Sequence, residues 1–271
     1  MQKERALAGA EFLRSKLNVG KEPIGLVLGT GWGDKLMLSE SREISFAEVP
    51  GFTKLPDLPG HARKYVVGLS GEREVVALSG RIHLNEDPGN AEIYKMVRLQ
   101  TEILMQLGVK KLIVTCAAGC LPGGNALMNE LVVIDGFVTL FAPQMPLWAG
   151  EFCSPEDTLT KRAREVALDY GICKSFPGKV TLGGYAMVLG PFFEGRMYDK
   201  QALANTGASI VGMSTLPEAC IAALYPGVEV LALAFVTNGY IGTHSHEGNL
   251  AQAKLYSDGL GKYLTQVIQK I

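Results

Sequence analysis

Two stretches late in the chain carry side chains able to hold a flat heterocycle beside an oxyanion. In the first, a strand-like run beginning Tyr185-Ala186-Met187-Val188-Leu189 ends at Gly190-Pro191, so Phe192, Phe193 and Glu194 fall in the loop that follows. In the second, a short strand over 209–213 (Ser209 to Met213) ends in Ser214 and Thr215 and then enters a helix. Together they offer an apolar shelf, a carboxylate and two hydroxyls at neighbouring strand exits.

Four further motifs sit at predicted strand ends. Gly29-Thr30-Gly31-Trp32-Gly33 follows an apolar run. Its glycines let the backbone curve around an anion, and Thr30 adds a hydroxyl. The same residues also suit a plain turn. The spacing is not that of a dinucleotide fingerprint, and the lysine of a P-loop is missing. Gly80-Arg81-Ile82-His83 places Arg81 and His83 on one side of an extended segment. Arg81 could fork two donors onto a phosphate, or be a surface arginine beside a loop histidine. Cys116-Ala117-Ala118-Gly119 reads as a turn after a buried strand, where small side chains admit either a ligand or tight packing and the Ala117 N–H could donate to an anion. Phe235-Val236-Thr237-Asn238-Gly239 ends the last long strand and presents an amide. The four histidines, His61, His83, His244 and His246, all fall in predicted loops or strand exits. His244-x-His246 has no companion ligands at recognisable metal-site spacing, so no metal is expected. Glu194 and Asn238 form a donor–acceptor set suited to a 6-oxopurine: the carboxylate accepts from N1–H, and the amide donates to O6 or N7. Adenine reverses the N1 edge, a buried mismatch worth about 1–3 kcal/mol.

Apolar periodicity places helices near 3–17, 90–107, 197–205 and 216–225, and a C-terminal helix from about 249. The stretch Ser154-Pro155-Glu156-Asp157 has a capping-box spelling and predicts a helix running to about Gly171. Strands are expected at 24–28, 111–115, 131–134, 179–189, 209–213 and 228–236, with a hairpin of 64–69 and 73–78 around Ser70-Gly71. The hairpin excludes a purely parallel sheet. No Ser/Gly/Pro-rich linker or repeat divides the chain, so one α/β domain over 1–271 with a mixed sheet is expected. With 271 residues, 47% of them hydrophobic and 20% charged, the chain is long and apolar enough to build a core without staples. A net charge of −1 without a basic stripe argues against nucleic acid. No apolar run approaches bilayer length, so no membrane association is expected. The charged, amphipathic N-terminus does not read as a secretory signal, and five scattered cysteines suit a reducing cytoplasm.

The ordered set GTGWG, PGHA, GRIH, CAAG, YAMVLGPFFE, VGMSTLPE, TN and H-E resembles the trimeric purine nucleoside phosphorylases over nearly the whole length. That resemblance implies a distorted barrel-like central sheet flanked by helices, a homotrimer, and reversible phosphorolysis of 6-oxopurine (deoxy)ribonucleosides to free base and (deoxy)ribose 1-phosphate, a purine-salvage reaction. It implies inorganic phosphate as co-substrate and no cofactor. By position, Thr30, His61, Arg81, His83, the Ala117 backbone and Ser214 would bind phosphate. Phe193, Glu194, Val211, Met213 and Asn238 would hold the base. Tyr185, Met213 and His246 would face the ribose, with His244 an alternative to His246. Asn238, Glu194 and His83 would carry catalysis, and Trp148 or Phe152 would reach into a neighbouring subunit. Departures from the family pattern are Thr30, Asn85, Cys116, Gly136 and Gly195. The competing readings are a methylthioadenosine-type phosphorylase and a nucleoside-binding homologue without turnover.

Overall fold

Ile24–Leu28 are five consecutive apolar residues buried on both faces, and they form β1, an interior strand of a nine-stranded mixed sheet. The computed structural model describes residues 2–33, 35–53, 62–87, 89–190, 195, 198–242 and 245–271. The other strands are β2 (Ser39–Ser45), β3 (Lys64–Ser70), β4 (Arg73–Ser79), β5 (Lys111–Cys120), β6 (Leu131–Val138), β7 (Val180–Met187), β8 (Ala208–Gly212) and β9 (Glu229–Asn238). Their order is β2-β3-β4-β1-β5-β8-β7-β6-β9, and β9 returns to pair with β5. The last five strands of that order therefore close into a barrel, and β2-β3-β4-β1 extend from it as an open wing. The expected α/β fold with a barrel-like mixed sheet is observed.

β5 belongs to both parts. Its first residues pair in parallel with β1 and β9, and Gly119–Cys120 pair antiparallel with β8. It is longer than the sequence suggests: Cys116–Gly119, read as a turn, continue the strand. The reason is pairing on the β9 side, where Cys116 to Ala118 stay in register with Ala234 to Val236. β2 was not anticipated, because Ser39-Glu-Ser-Arg-Glu-Ile-Ser45 is a polar edge strand with five leading residues exposed.

The eight helices of the described residues are α1 (Gln2–Leu17), α2 (Ala91–Gln106), α3 (Lys161–Ala167), α4 (Tyr170–Cys173), α5 (Asp199–Asn205), α6 (Leu216–Ala223), α7 (His246–Leu255) and α8 (Ser257–Lys270). α2 starts at Asn90, whose side chain accepts from the Glu92 N–H at 3.0 Å. It stops at Gly108, where Gly108 N donates to Met105 O and Val109 N to Leu104 O, a glycine-terminated Schellman end. α8 buries Leu260, Tyr263, Leu264, Val267 and Ile268, one helical stripe, on the sheet face opposite α2. The helix expected from Ser154 is instead a 3-10 turn, Pro155–Thr158, followed by α3 and α4. Ser154 caps nothing, because its hydroxyl bonds the Glu156 side chain. Among the described residues no helix is long and apolar enough to cross a membrane.

Between β6 and the 3-10 turn runs an aromatic loop, 139–154, that exposes Leu140, Phe141, Trp148 and Phe152. It is anchored on Arg98 of α2. This buried guanidinium forks onto Glu151 at 2.5 and 2.7 Å, meets Glu102 at 2.8 Å, and lies 5.0 Å from the Trp148 ring centre. Hydrogen bonds from Arg98 hold the Glu151 carboxyl below its ordinary value. A depressed carboxyl contributes stability that is present above its unfolded value and lost as pH falls through the lower folded one. Glu151 is still 28% exposed, so solvent screens part of the interaction. Replacing Glu151 with Gln should lower Tm at neutral pH by about 2–4 °C, equivalent to about 1 kcal/mol. Melting curves across pH should show that gap closing below about pH 4.

Candidate active site

The C-terminal ends of β1, β4, β5, β8 and β9 and the start of α7 surround a cavity of about 620 Å³. Each strand end contributes through a local device. After β1, Gly29 closes a turn by accepting from Trp32 N at 3.1 Å. Trp32 is wholly buried, and its indole N–H donates to Cys116 O at 2.9 Å. Gly29 N donates to Thr115 Oγ1 at 2.9 Å, and that hydroxyl donates to Val27 O at 3.0 Å. Thr30 is thereby fixed on the cavity wall.

After β4, Arg81 also reaches the wall, but it is 1% exposed and already engaged. Its Nη1 lies 3.2 Å from Glu218 Oε1, and its Nη2 donates to Thr115 O. His83 lines the cavity with its Nδ1 3.5 Å from Glu86 Oε1, which also accepts from His83 N at 2.8 Å. The other Glu86 oxygen accepts from Arg63 at 2.6 Å. Burial alone would raise the Glu86 carboxyl, but the hydrogen bonds from His83 and the Arg63 charge outweigh it and hold the group below its ordinary value.

Ala117 faces the cavity from within β5. Beside it, burial pushes the Cys116 thiol up to about 11, so the thiol is neutral near pH 7. β8 delivers Val211, Met213 and Ser214 to the wall. Tyr185, expected to face a sugar, is wholly buried and does not line the cavity. It lies behind Gly212, where any Cβ would come within 2.3 Å of its hydroxyl, and that oxygen accepts from Ser214 N at 3.2 Å. Tyr185 therefore positions Ser214.

Thr215 follows in a γ-turn with φ 78 and ψ −48, closed by Leu216 N donating to Ser214 O at 2.9 Å. Positive φ is strained for a β-branched residue. Thr215-Leu216-Pro217-Glu218 has the spelling of a capping box, Thr at the N-cap and Glu at N3, yet no box forms. Thr215 Oγ1 and Glu218 Oε2 are buried without hydrogen-bond partners, while Glu218 Oε1 meets Arg81.

β9 ends in a bulge. Ala118 pairs with Val236 and Gly119 with Asn238, leaving Thr237 as the extra residue. The bulge turns Asn238 onto the wall against Gly119, where a Cβ would sit 2.7 Å from Asn238 Nδ2. Thr237 Oγ1 lies 3.2 Å from Asn238 Oδ1, which leaves the NH₂ group buried and unpaired beside the cavity. Finally, Ser245 caps α7 by accepting from Gly248 N at 3.0 Å, and the exposed His246 and half-buried Asn249 form the rim.

Thr30, Arg81, His83, Ala117, Val211, Met213, Ser214, Asn238 and His246 are thus gathered around one cavity. His61, Phe193, Glu194 and His244 lie outside the described residues. Sequence reasoning singled out no role for Glu86, Thr237, Ser245 or Asn249, and it noted Asn85, another wall residue, only as a departure. Two signals were available: Glu86 follows His83 at a spacing of three, and the capping-box spelling marks Glu218. Among the described residues no three His, Cys, Asp or Glu side chains cluster as a metal would require.

The sequence model of the phosphorylase superfamily matches residues 23–269. A purine nucleoside phosphorylase of Mycobacterium tuberculosis is 31% identical over 273 residues, covering 98% of this chain and 96% of its own. That of Bos taurus is 27% identical, covering 92% and 89%. Among solved structures, isoform 2 of the Schistosoma mansoni purine nucleoside phosphorylase, in complex with cytosine and ribose-1-phosphate, superposes with a TM-score of 0.85 at 27% identity, covering 99% of this chain and 96% of its own. A second Schistosoma mansoni purine nucleoside phosphorylase, in complex with adenosine, has a TM-score of 0.83 at 25% identity, covering 99% and 97%. With near-complete coverage in both directions, the chain belongs to the purine nucleoside phosphorylase family of the phosphorylase superfamily.

Proposed function

We propose that this chain catalyses the reversible phosphorolysis of 6-oxopurine (deoxy)ribonucleosides, yielding the free base and (deoxy)ribose 1-phosphate. The observation that carries the reading is the buried, unpaired NH₂ of Asn238, which lines the same cavity as Thr30, Arg81, His83 and Ser214. An unmet buried donor costs about 1–3 kcal/mol, which an acceptor on a bound base would offset. The relatives' names support the same activity.

In this mechanism Thr30, Arg81, His83, Ser214 and the Ala117 N–H hold hydrogen phosphate below the sugar. A phosphate oxygen attacks C1′ as the C1′–N9 bond breaks, and that bond's electron pair leaves with the purine. The proton brought by hydrogen phosphate ends on the base. Asn238 donates to N7 or O6, where negative charge develops, and Val211 and Met213 contact the ring. By the resemblance, Phe193 and Glu194 complete the base subsite, Glu194 accepting from N1–H, and His61 covers the phosphate. Met213 and His246 flank the ribose. The protein supplies positioning and charge placement and needs no covalent intermediate. The same reading places the enzyme in the cytoplasm and in purine salvage.

We further propose a homotrimer. Arg98 pins Trp148 from behind, whereas Phe152 is 91% exposed, so Phe152 is the better candidate to enter a neighbouring copy's site. Light scattering should return three times the chain mass; a monomer would contradict this.

Release of hypoxanthine from inosine should require phosphate or arsenate. Equal release in phosphate-free buffer would indicate a hydrolase, and binding without release would indicate a homologue lacking turnover. Asn238→Asp should present an acceptor where O6 needs a donor. Its kcat/KM for inosine should fall by about tenfold to a hundredfold, with a relative gain for adenosine. An unchanged inosine-to-adenosine ratio of kcat/KM would remove Asn238 from base recognition.

A further inference from the structure

We infer that Glu218 is a positioning residue that neutralises Arg81, so that phosphate is held by hydrogen bonds in a site without net positive charge. The inference rests on the phosphorolytic reading above and deepens it. Arg81 is the one arginine or lysine among the described residues that line the cavity, yet its charge is already matched. Glu218 Oε1 lies 3.2 Å from Arg81 Nη1, and the two side chains are 2% and 1% exposed. The other cation nearby, Arg63, is matched by Glu86 at 2.6 Å. Among the described residues, both charge pairs at the anion side of the cavity therefore sum to zero.

The local backbone shows that this pairing is built. Glu218 occupies the N3 position, from which it would close a capping box on Thr215. The strained γ-turn at Thr215 removes that option, and both Thr215 Oγ1 and Glu218 Oε2 are left unpaired in the interior. A local capping interaction has been given up for a contact with Arg81, 137 residues away in sequence. Strain and unpaired polar atoms of this kind mark sites where function overrides local preference.

The chemical consequence follows from where charge is wanted. An unbalanced Arg81 would bind the phosphate dianion tightly in the ground state and draw off the negative charge that stabilises the cationic ribosyl group. With Glu218 behind Arg81, the guanidinium still orients phosphate through its remaining N–H groups. The dianion's charge then stays available to the transition state, where differential binding accelerates the reaction.

The test is Glu218→Gln, which keeps a carbonyl oxygen for Arg81 and removes the charge. Calorimetric binding of inorganic phosphate should tighten by about tenfold or more, as expected for one charge uncovered in a buried site. Saturated kcat for inosine should fall by about tenfold while the phosphate KM drops. Phosphate should also raise the variant's Tm by more than it raises that of the wild type, because it supplies the missing counter-charge. A purely structural Glu218 would leave phosphate binding unchanged or weaker, and that result overturns the proposal. If the variant folds poorly alone, saturating phosphate should restore its native circular dichroism; failure to do so counts equally against the idea. Phosphate binding is read without turnover, so an inactive wild-type protein would defeat the phosphorolytic reading and still leave the Glu218 comparison decisive.

Discussion

The site depends on Thr115, a fully buried residue midway along β5. Its hydroxyl accepts from Gly29 N and donates to Val27 O, joining the turn after β1 to the central strand. Its carbonyl accepts from Arg81, joining the segment after β4 to the same point. Three chain segments, distant in sequence, are thus registered on one peptide unit. Each such bond contributes about 1 kcal/mol net, but its loss would strand a buried polar group at about 1–3 kcal/mol. The indole of Trp32 repeats the arrangement one residue on, at Cys116 O. Thr30 and Arg81 keep their places because β5 offers these acceptors at an unbroken strand edge.

Several unpaired buried polar atoms lie where this frame meets the cavity. Asn85 Oδ1, Thr215 Oγ1, Glu218 Oε2 and Asn238 Nδ2, four buried side-chain atoms without partners, lie in its wall or directly behind it. Elsewhere, buried polar groups such as Gln100, Tyr65 and Tyr263 are satisfied through backbone carbonyls. A fold able to satisfy those groups had the means to satisfy these. Their clustering is the physical mark of a surface that awaits ligand atoms.

Much of the frame was readable from the sequence because it follows local rules. β1, the hairpin of β3 and β4, and α2 with its Asn90 start and Gly108 stop appear within a residue or two of their expected bounds. The misreadings share a non-local cause. Cys116–Gly119 look like a turn until β9 pairs with them. The polar β2 is a strand only because β3 lies beside it. The C-terminal helix divides at Tyr256, which packs against Phe176 and Phe235. At the site, residue types at strand exits were informative, and orientation was not. Tyr185 and Met187 share a strand face by alternation, but nothing in the sequence shows that Gly212 covers the Tyr185 ring. Glu218 carried a local signature whose local meaning the structure reverses.

β1 and β8 share one edge of β5 and β9 takes the other, so the strands that wall the cavity converge on the small residues of β5. One half of the wall, from the exits of β1 and β4, carries Thr30, Arg81 and His83, whereas the other, from β8 and β9, carries Val211, Met213, Ser214 and Asn238. The halves meet across Ala117, Ala118 and Gly119. Here small side chains leave the backbone to form the wall. Gly119 is a tight point, since the bulge that aims Asn238 also presses its amide against the place a Cβ would occupy. The bulge, the glycine and the unpaired amide are therefore one device. The register shift in β9 aims the donor, and the missing side chain on β5 gives it room to face the cavity.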